Sequence, residues 1–312
     1  MDTRQPINAS AMSIMTVLCI LWGLQQVVLK ATASDLGPVL HIALRSGIAA
    51  LLTISLMLWR SERLNFVLYG KAGLVAGSLF ALEFIFLGTA LHYTTASHSV
   101  VLLYTAPIFA AIGLQWKLPS ERLRRLQWVG ISLAFIGVVV TFWGGNPNNP
   151  ATQTSTQQAL FGDFLALLAG LCWAATTVVI RTTALSKAPA TETLLYQLLI
   201  ACFILLLAAW FLGDFYFRST PLVWSGLLFQ SVMISFASFL IWFGLLKRYL
   251  ASQLGVFSFL TPLFGIVFGV LLLNDPIETR FIIGSALVLA GIILVSGHTW
   301  FMQIMTSPRK SS

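Results

Sequence analysis

Leu21-Trp22-Gly23-Leu24-Gln25-Gln26-Val27-Val28-Leu29-Lys30 is followed, 151 residues on, by Cys172-Trp173-Ala174-Ala175-Thr176-Thr177-Val178-Val179-Ile180-Arg181. In both stretches an apolar run carries a Trp in its interior and closes on a cation. Pro38 and Pro189 follow at the same offset. Further along, Gly88 pairs with Gly244 and Tyr93 with Tyr249 at an offset of 156, and Pro107 with Pro262 at 155. Glu121 with Asp275, Gly130 with Gly284 and Gly137 with Gly291 pair at 154. Small insertions and deletions in loops produce such a drift, so the chain reads as two like halves.

Working outward, the 312 residues are 58% hydrophobic and 9% charged, against about 45–50% and about 25% in soluble domains. This is a membrane composition. It excludes a separate soluble domain, a disordered chain and a collagen-like chain. A disulfide scaffold is excluded as well, because Cys19, Cys172 and Cys202 all lie inside apolar runs. Ten stretches are apolar enough to cross a bilayer: 11–30, 37–59, 71–92, 96–116, 125–143, 160–182, 190–212, 221–246, 251–273 and 279–299. Pro38, Pro119, Pro189, Pro221 and Pro276 punctuate the short connections. The first stretch has no small-residue cleavage site and ends on Lys30, so it reads as a retained span.

Residues 11–143 and 160–299 are therefore two five-helix repeats, joined by an uncharged linker, 144–159. Five is odd, so the second repeat enters the membrane from the opposite side. The expected fold is an all-α membrane protein of ten transmembrane helices, in two inverted five-helix repeats around a central cavity.

The net charge of +8 suggests a polyanionic partner, but its distribution argues otherwise. With the first residue in the cytoplasm, fourteen of the eighteen Lys and Arg fall on inner segments: Arg4, Arg60, Arg63, Lys71, Lys117, Arg122, Arg124, Arg125, Arg181, Lys187, Lys247, Arg248, Arg309 and Lys310. The outer side holds only Lys30, Arg218 and Arg280. The basic excess is a topology signal that puts both termini in the cytoplasm, and it accounts for the charge without a nucleic-acid partner. Trp59, Trp116, Trp128, Trp143, Trp210, Trp224 and Trp300 fall near span ends, where indole prefers to sit. Trp22, Trp173 and Trp242 lie inside spans, where the ring N–H needs a polar partner, a cavity or a ligand.

These residues carry a resemblance. Trp22-Gly23 followed by Lys30, Pro38 followed seven residues later by Arg45, the Glu121 to Gly130 spacing, and Pro107 with its echo Pro262 make the chain similar, over about 11–299, to ten-span members of the drug/metabolite transporter superfamily of the EamA type. More narrowly it resembles the YddG-like aromatic amino-acid exporters. That resemblance implies export of a small-molecule substrate across the inner membrane of a bacterium. The repeat is imperfect where chemistry is concerned: Tyr196 stands where it would place Arg45, and Phe239 where it would place Glu83, so a function of either ion is asymmetric.

Pro107 and Pro262 sit mid-span at equivalent places and are expected to supply hinges or cavity-lining bends, against an ordinary helix kink. At α-helical spacing Ser231, Ser235, Ser238 and Trp242 form one stripe, and Met15, Cys19, Trp22 and Gln26 another, with Gln25 beside it. Trp173 is followed by Thr176 and Thr177. The expected cavity is therefore lined by Trp22, Gln25, Glu83, Tyr104, Trp173, Thr177, Ser238 and Trp242. Such a neutral, aromatic lining suits an aromatic or amphipathic solute and offers little to a phosphate.

Glu83 is the acid placed mid-span: either a proton-titrating or ammonium-binding carboxylate, or a neutral acid that locks two helices. Arg45 either contacts a substrate carboxylate or pairs with acceptors at the outer end or with Glu83. His41 and His98 are expected to be polar packing groups, Asp163 to sit at the start of the sixth span, and Lys30 and Arg181 to snorkel. No metal site, cofactor motif, nucleophile elbow or phosphate loop appears, so an enzyme is not expected. The sequence thus points to a monomeric inner-membrane secondary transporter, in contact with membrane lipid, exporting amino acids with aromatic or larger apolar side chains, or related metabolites, by alternating access. An exporter of cationic aromatic drugs and a solute channel are the alternatives.

Overall fold

The computed structural model describes residues 4–90, 92–94, 96–142, 156–273 and 279–306. Most of the expected linker (144–155), Trp143, Asp275, Pro276, Arg309, Lys310 and the side chains of His98 and Trp300 lie outside the described residues. The described chain is helical, with two isolated bridges, Gln5 with Tyr249 and Leu36 with Phe217, and no strand among the described residues.

The spans begin where side chains or prolines satisfy the first turn. Asn8 accepts from the Ala11 N–H to start α1 (Ala9–Thr32), and Pro38 opens α2 (Pro38–Trp59). They are followed by α3 (Phe66–Ala90), α4 (Ala96–Leu103), α5 (Ala106–Lys117) and α6 (Arg125–Phe142). The second half holds α7 (Thr156–Thr182), α8 (Ala190–Phe211), α9 (Pro221–Phe229) and, beyond a π-helical segment at Gln230–Ser238, α10 (Phe239–Arg248). It closes with α11 (Ala251–Phe257), α12 (Leu260–Leu273) and α13 (Thr279–Thr306). Eight helical stretches among the described residues are long and apolar enough to cross a membrane; shorter apolar helical stretches, 125–140 and 282–295, stand where the fifth and tenth spans are expected.

The fourth and ninth spans are each broken just before their proline. α4 stops at Leu103 and α5 restarts at Ala106, ahead of Pro107; α11 stops at Phe257 and α12 restarts at Leu260, ahead of Pro262. A proline leaves the carbonyl four residues earlier without its helical donor. At the second break the Ser258 carbonyl freed by Pro262 accepts from the Thr261 N–H at 2.9 Å, and hydroxyls return to neighbouring carbonyls, Thr105 Oγ1 to Leu102 O and Ser258 Oγ to Gly255 O, each at 2.6 Å. Behind the first break runs α7, where a Cβ on Gly170 would come within 2.9 Å of the Leu102 and Leu103 carbonyls. The two broken spans meet each other at Gly255 and Pro107.

Packing follows the repeat. α1 lies on α12 as α7 lies on α4 and α5; α3 packs on α7 as α1 packs on the π segment; α2 pairs with α8, and α6 with α13. Directions can be read from the contacts. Cys19 meets Phe257 and Gly23 meets Gly265, so the first and ninth spans run parallel. Gly162 meets Thr94 and Gly170 meets Leu102, so the sixth and fourth do too. In contrast, Gly130 faces Gly291 while Gly137 faces Gly284, so α6 and α13 are antiparallel. All three relations are those of segments that reverse direction at every connection.

Candidate functional site

Two groups of aromatic rings occupy the middle of the bundle. In the first, the Trp22 Nε1–H on α1 donates to Ser238 Oγ at 2.9 Å, and its ring lies 5.7 Å from Trp242 and 6.5 Å from Phe239. Phe239 continues to Phe80 of α3 at 5.8 Å. In the second, Tyr104, in the break of the fourth span, meets Trp173 edge-on at 5.6 Å and Phe259, in the break of the ninth, at 6.4 Å. Thr261 stands beside Tyr104 and Cys19. Glu83 follows Phe80, of the first group, by three residues on α3 and is likewise buried. Offset and edge-on ring pairs of this kind leave π-faces and edges for a flat solute.

The ions are arranged differently from a simple pair. Arg45 is fully buried; its Nη1–H donates to Gln230 Oε1 at 2.6 Å and its guanidinium stands 5.4 Å from the Phe84 ring centre. Gln230 Nε2 in turn donates to the Gln25 carbonyl at 3.0 Å. Among the described residues no acceptor reaches Arg45 Nε or Nη2, and Gln25 Oε1, His41 Nε2 and Ser235 Oγ are also buried without a partner. Glu83 is 8% exposed and is not within ion-pair distance of Arg45. His41 is a packing group whose Nδ1 meets Thr32 Oγ1 at 3.2 Å. That hydroxyl already donates to Val28 O at 2.9 Å, so the ring nitrogen is the donor.

Four sequence expectations change. The serine stripe assumes α-helical spacing, but the segment is π-helical; Ser231 and Ser238 return their hydroxyls to Leu227 and Ile234, and of the stripe it is Ser238 that reaches a Trp. Gln26 is exposed and Gln25 turns inward. Asp163 sits two turns inside α7 and accepts from Thr94 Oγ1 at 2.5 Å. Arg181 does not snorkel: it is 2% exposed and paired with Glu121, because a buried carboxylate lies within its reach. Gln230, which fixes Arg45, was not singled out; a glutamine amid an apolar run is the signal that could have marked it. Thr177 is buried on the Trp173 side, its hydroxyl returned to the Trp173 carbonyl. Pro107 and Pro262 are buried at the two breaks. Among the described residues no group of His, Cys, Asp and Glu could hold a metal ion.

The model of the EamA-like transporter family matches this chain twice, over residues 9–143 and 160–297. An uncharacterized transporter of Archaeoglobus fulgidus is 24% identical over 93% of this chain and 98% of its own. Probable amino-acid metabolite efflux pumps of Salmonella typhimurium and Escherichia coli are 26% and 25% identical, over 89% and 91% of this chain and 92% and 94% of theirs. A solved crystal structure superposes with a TM-score of 0.78 at 20% identity, covering 94% of this chain and 99% of that one, a likeness of fold.

Proposed function

The chain belongs to the EamA-like transporter family, and from that premise we propose a monomeric exporter of amino acids with aromatic or larger apolar side chains, set in a bacterial inner membrane with both termini cytoplasmic. Its two five-helix halves, 11–143 and 160–299, are inverted and rock about the shared aromatic centre, exposing it to one side and then the other. Exchange of the halves carries the first-on-ninth helix packing into sixth-on-fourth, both parallel, which supports the inversion. The names of the two efflux pumps support the solute class.

One observation carries the reading: two ring groups, Trp22–Trp242–Phe239 and Tyr104–Trp173–Phe259, lie in a bundle whose third span buries the carboxylate of Glu83. The rings take the side chain of the solute, Glu83 its ammonium or the coupling proton, and Arg45 its carboxylate through Nε and Nη2; Pro107 and Pro262 are the hinges. A cationic aromatic drug would satisfy the rings and Glu83 equally, but would bring no acceptor to Arg45 Nε and Nη2, which have none among the described residues.

The test is binding and counterflow in proteoliposomes with phenylalanine and with phenethylamine, which lacks the carboxylate. The wild-type protein is expected to prefer phenylalanine, and Trp173→Ala and Trp242→Ala each to weaken its binding roughly tenfold, one cation–π or stacking contact. Glu83→Gln is expected to abolish the response to a pH gradient while leaving counterflow. Preference for phenethylamine would favour the drug reading, and normal transport by both folded Trp variants would remove the proposed cavity.

A further inference from the structure

At the end of the bundle where the N-terminal segment lies, one carboxylate gathers donors from two elements and so ties three together. Glu121 closes the short 3-10 turn after α5 and is fully buried. It accepts from Arg181 Nε at 3.1 Å and from Arg181 Nη2, from the Ala251 N–H at 3.0 Å, and from the Ser252 N–H at 3.1 Å and Oγ–H at 2.7 Å. Arg181 ends α7, the helix of Trp173 and Thr177; Ala251 and Ser252 begin α11, which leads to Pro262; Glu121 itself follows the helix of Pro107. The cluster therefore ties together the near ends of the three spans that hold the second ring group. The acid comes from the first half and all its donors from the second.

We propose that Glu121 is the latch that shuts this end of the pathway, and that its release from Arg181 and α11 is the step that opens it. The inference rests on the transporter reading only in requiring that both ends open in turn. A buried ion pair in a dry site is held far more strongly than the same groups in water, where exposed pairs contribute little. Once water enters, the carboxylate and guanidinium are hydrated and little attraction remains to draw them back. The cluster thus favours a fully shut or a fully wetted end over a half-open one, as a two-state gate requires. A second set of contacts between the halves crosses the same end: Arg4 Nε donates to Leu246 O at 3.0 Å, the Gln5 N–H to Arg248 O at 2.9 Å, and the Ile7 N–H to Gln253 Oε1 at 2.9 Å. These are contacts of a terminal segment, whereas Glu121 joins the spans themselves.

The first test needs no solute. In protein with Cys19, Cys172 and Cys202 replaced by Ser, a reporter Thr177→Cys one turn from Arg181 is labelled by a membrane-impermeant maleimide, applied in separate samples to each face. Glu121→Gln, and independently Arg181→Gln, should raise labelling from the Glu121 face by roughly tenfold and lower it from the other. A drop in melting temperature with unchanged labelling, or labelling that rises equally from both faces, would show a merely structural tie and overturn the proposal. Conversely, Glu121→Cys with Ser252→Cys, bridged by a reducible cross-linker, should stop phenylalanine counterflow until reduction; full exchange by the bridged protein would show that the contact never opens. A protein that carries no phenylalanine counts against the solute, and labelling then decides the latch alone.

Discussion

A guanidinium fully inside a helical bundle must have its charge answered, and Arg45 is answered by an amide oxygen and a ring face rather than by the acid. Removing one partner of a buried charge leaves the other uncompensated, at a cost of about 3–5 kcal/mol. Gln230→Leu is therefore expected to lower the melting temperature in detergent sharply, and Arg45→Met with Gln230→Leu to recover much of the loss; a single variant as stable as the wild type would show that the bond contributes nothing. At this scale the sequence was partly legible. Arg45 and Glu83 stand out because ions are rare in apolar runs, but nothing in the spacing links Arg45 to a glutamine 185 residues away. Arg181 misleads for the same reason: locally it is a cation at a span end, and its acid lies 60 residues back.

At the scale of elements, most helix boundaries were legible to within a few residues, since charge, proline and length bound each span; α3 starts five residues before its expected bound and α13 ends seven beyond its own. The two breaks were legible only as prolines mid-span. The π segment was not, because the serines of that span also fit α-helical spacing, and no residue in it marks a wider turn. Close helix approach is the feature that glycine governs here. A Cβ on Gly291 would lie 2.5 Å from the Ala134 backbone N, and one on Gly137 2.6 Å from the Gly284 carbonyl. Backbone cannot step aside as a side chain can, so Gly291→Ala or Gly137→Ala should destabilise by roughly 1–3 kcal/mol. Gly244, in α10, has nothing within 4 Å of its added Cβ. Gly244→Ala should leave stability unchanged or raise it by about 0.5–1 kcal/mol. Thermal melts of the three variants check this; equal losses in all would mean that the α6–α13 contact is not what the glycines serve.

For the whole molecule, composition and the offset between like residues determine the class, and the distribution of Lys and Arg provides an orientation. What they leave open is which faces of the helices meet, because contacts between distant spans depend on side-chain fit that a single apolar run does not encode. The aromatic centre was legible as three indoles without an interfacial reason to exist; the latch at Glu121 was not, since its members read separately as a loop acid, a terminal cation and a serine. The account depends on the two halves lying upside down to one another. Arg63, between the second and third spans, and Arg218, between the seventh and eighth, occupy equivalent places in the two halves and are both exposed. The direct measurement is sided maleimide labelling of Arg63→Cys and Arg218→Cys in the cysteine-free protein in cells. Reaction of the Arg218 position in intact cells, and of the Arg63 position only after the inner membrane is breached, is the predicted result; reaction of both from the same side would contradict it.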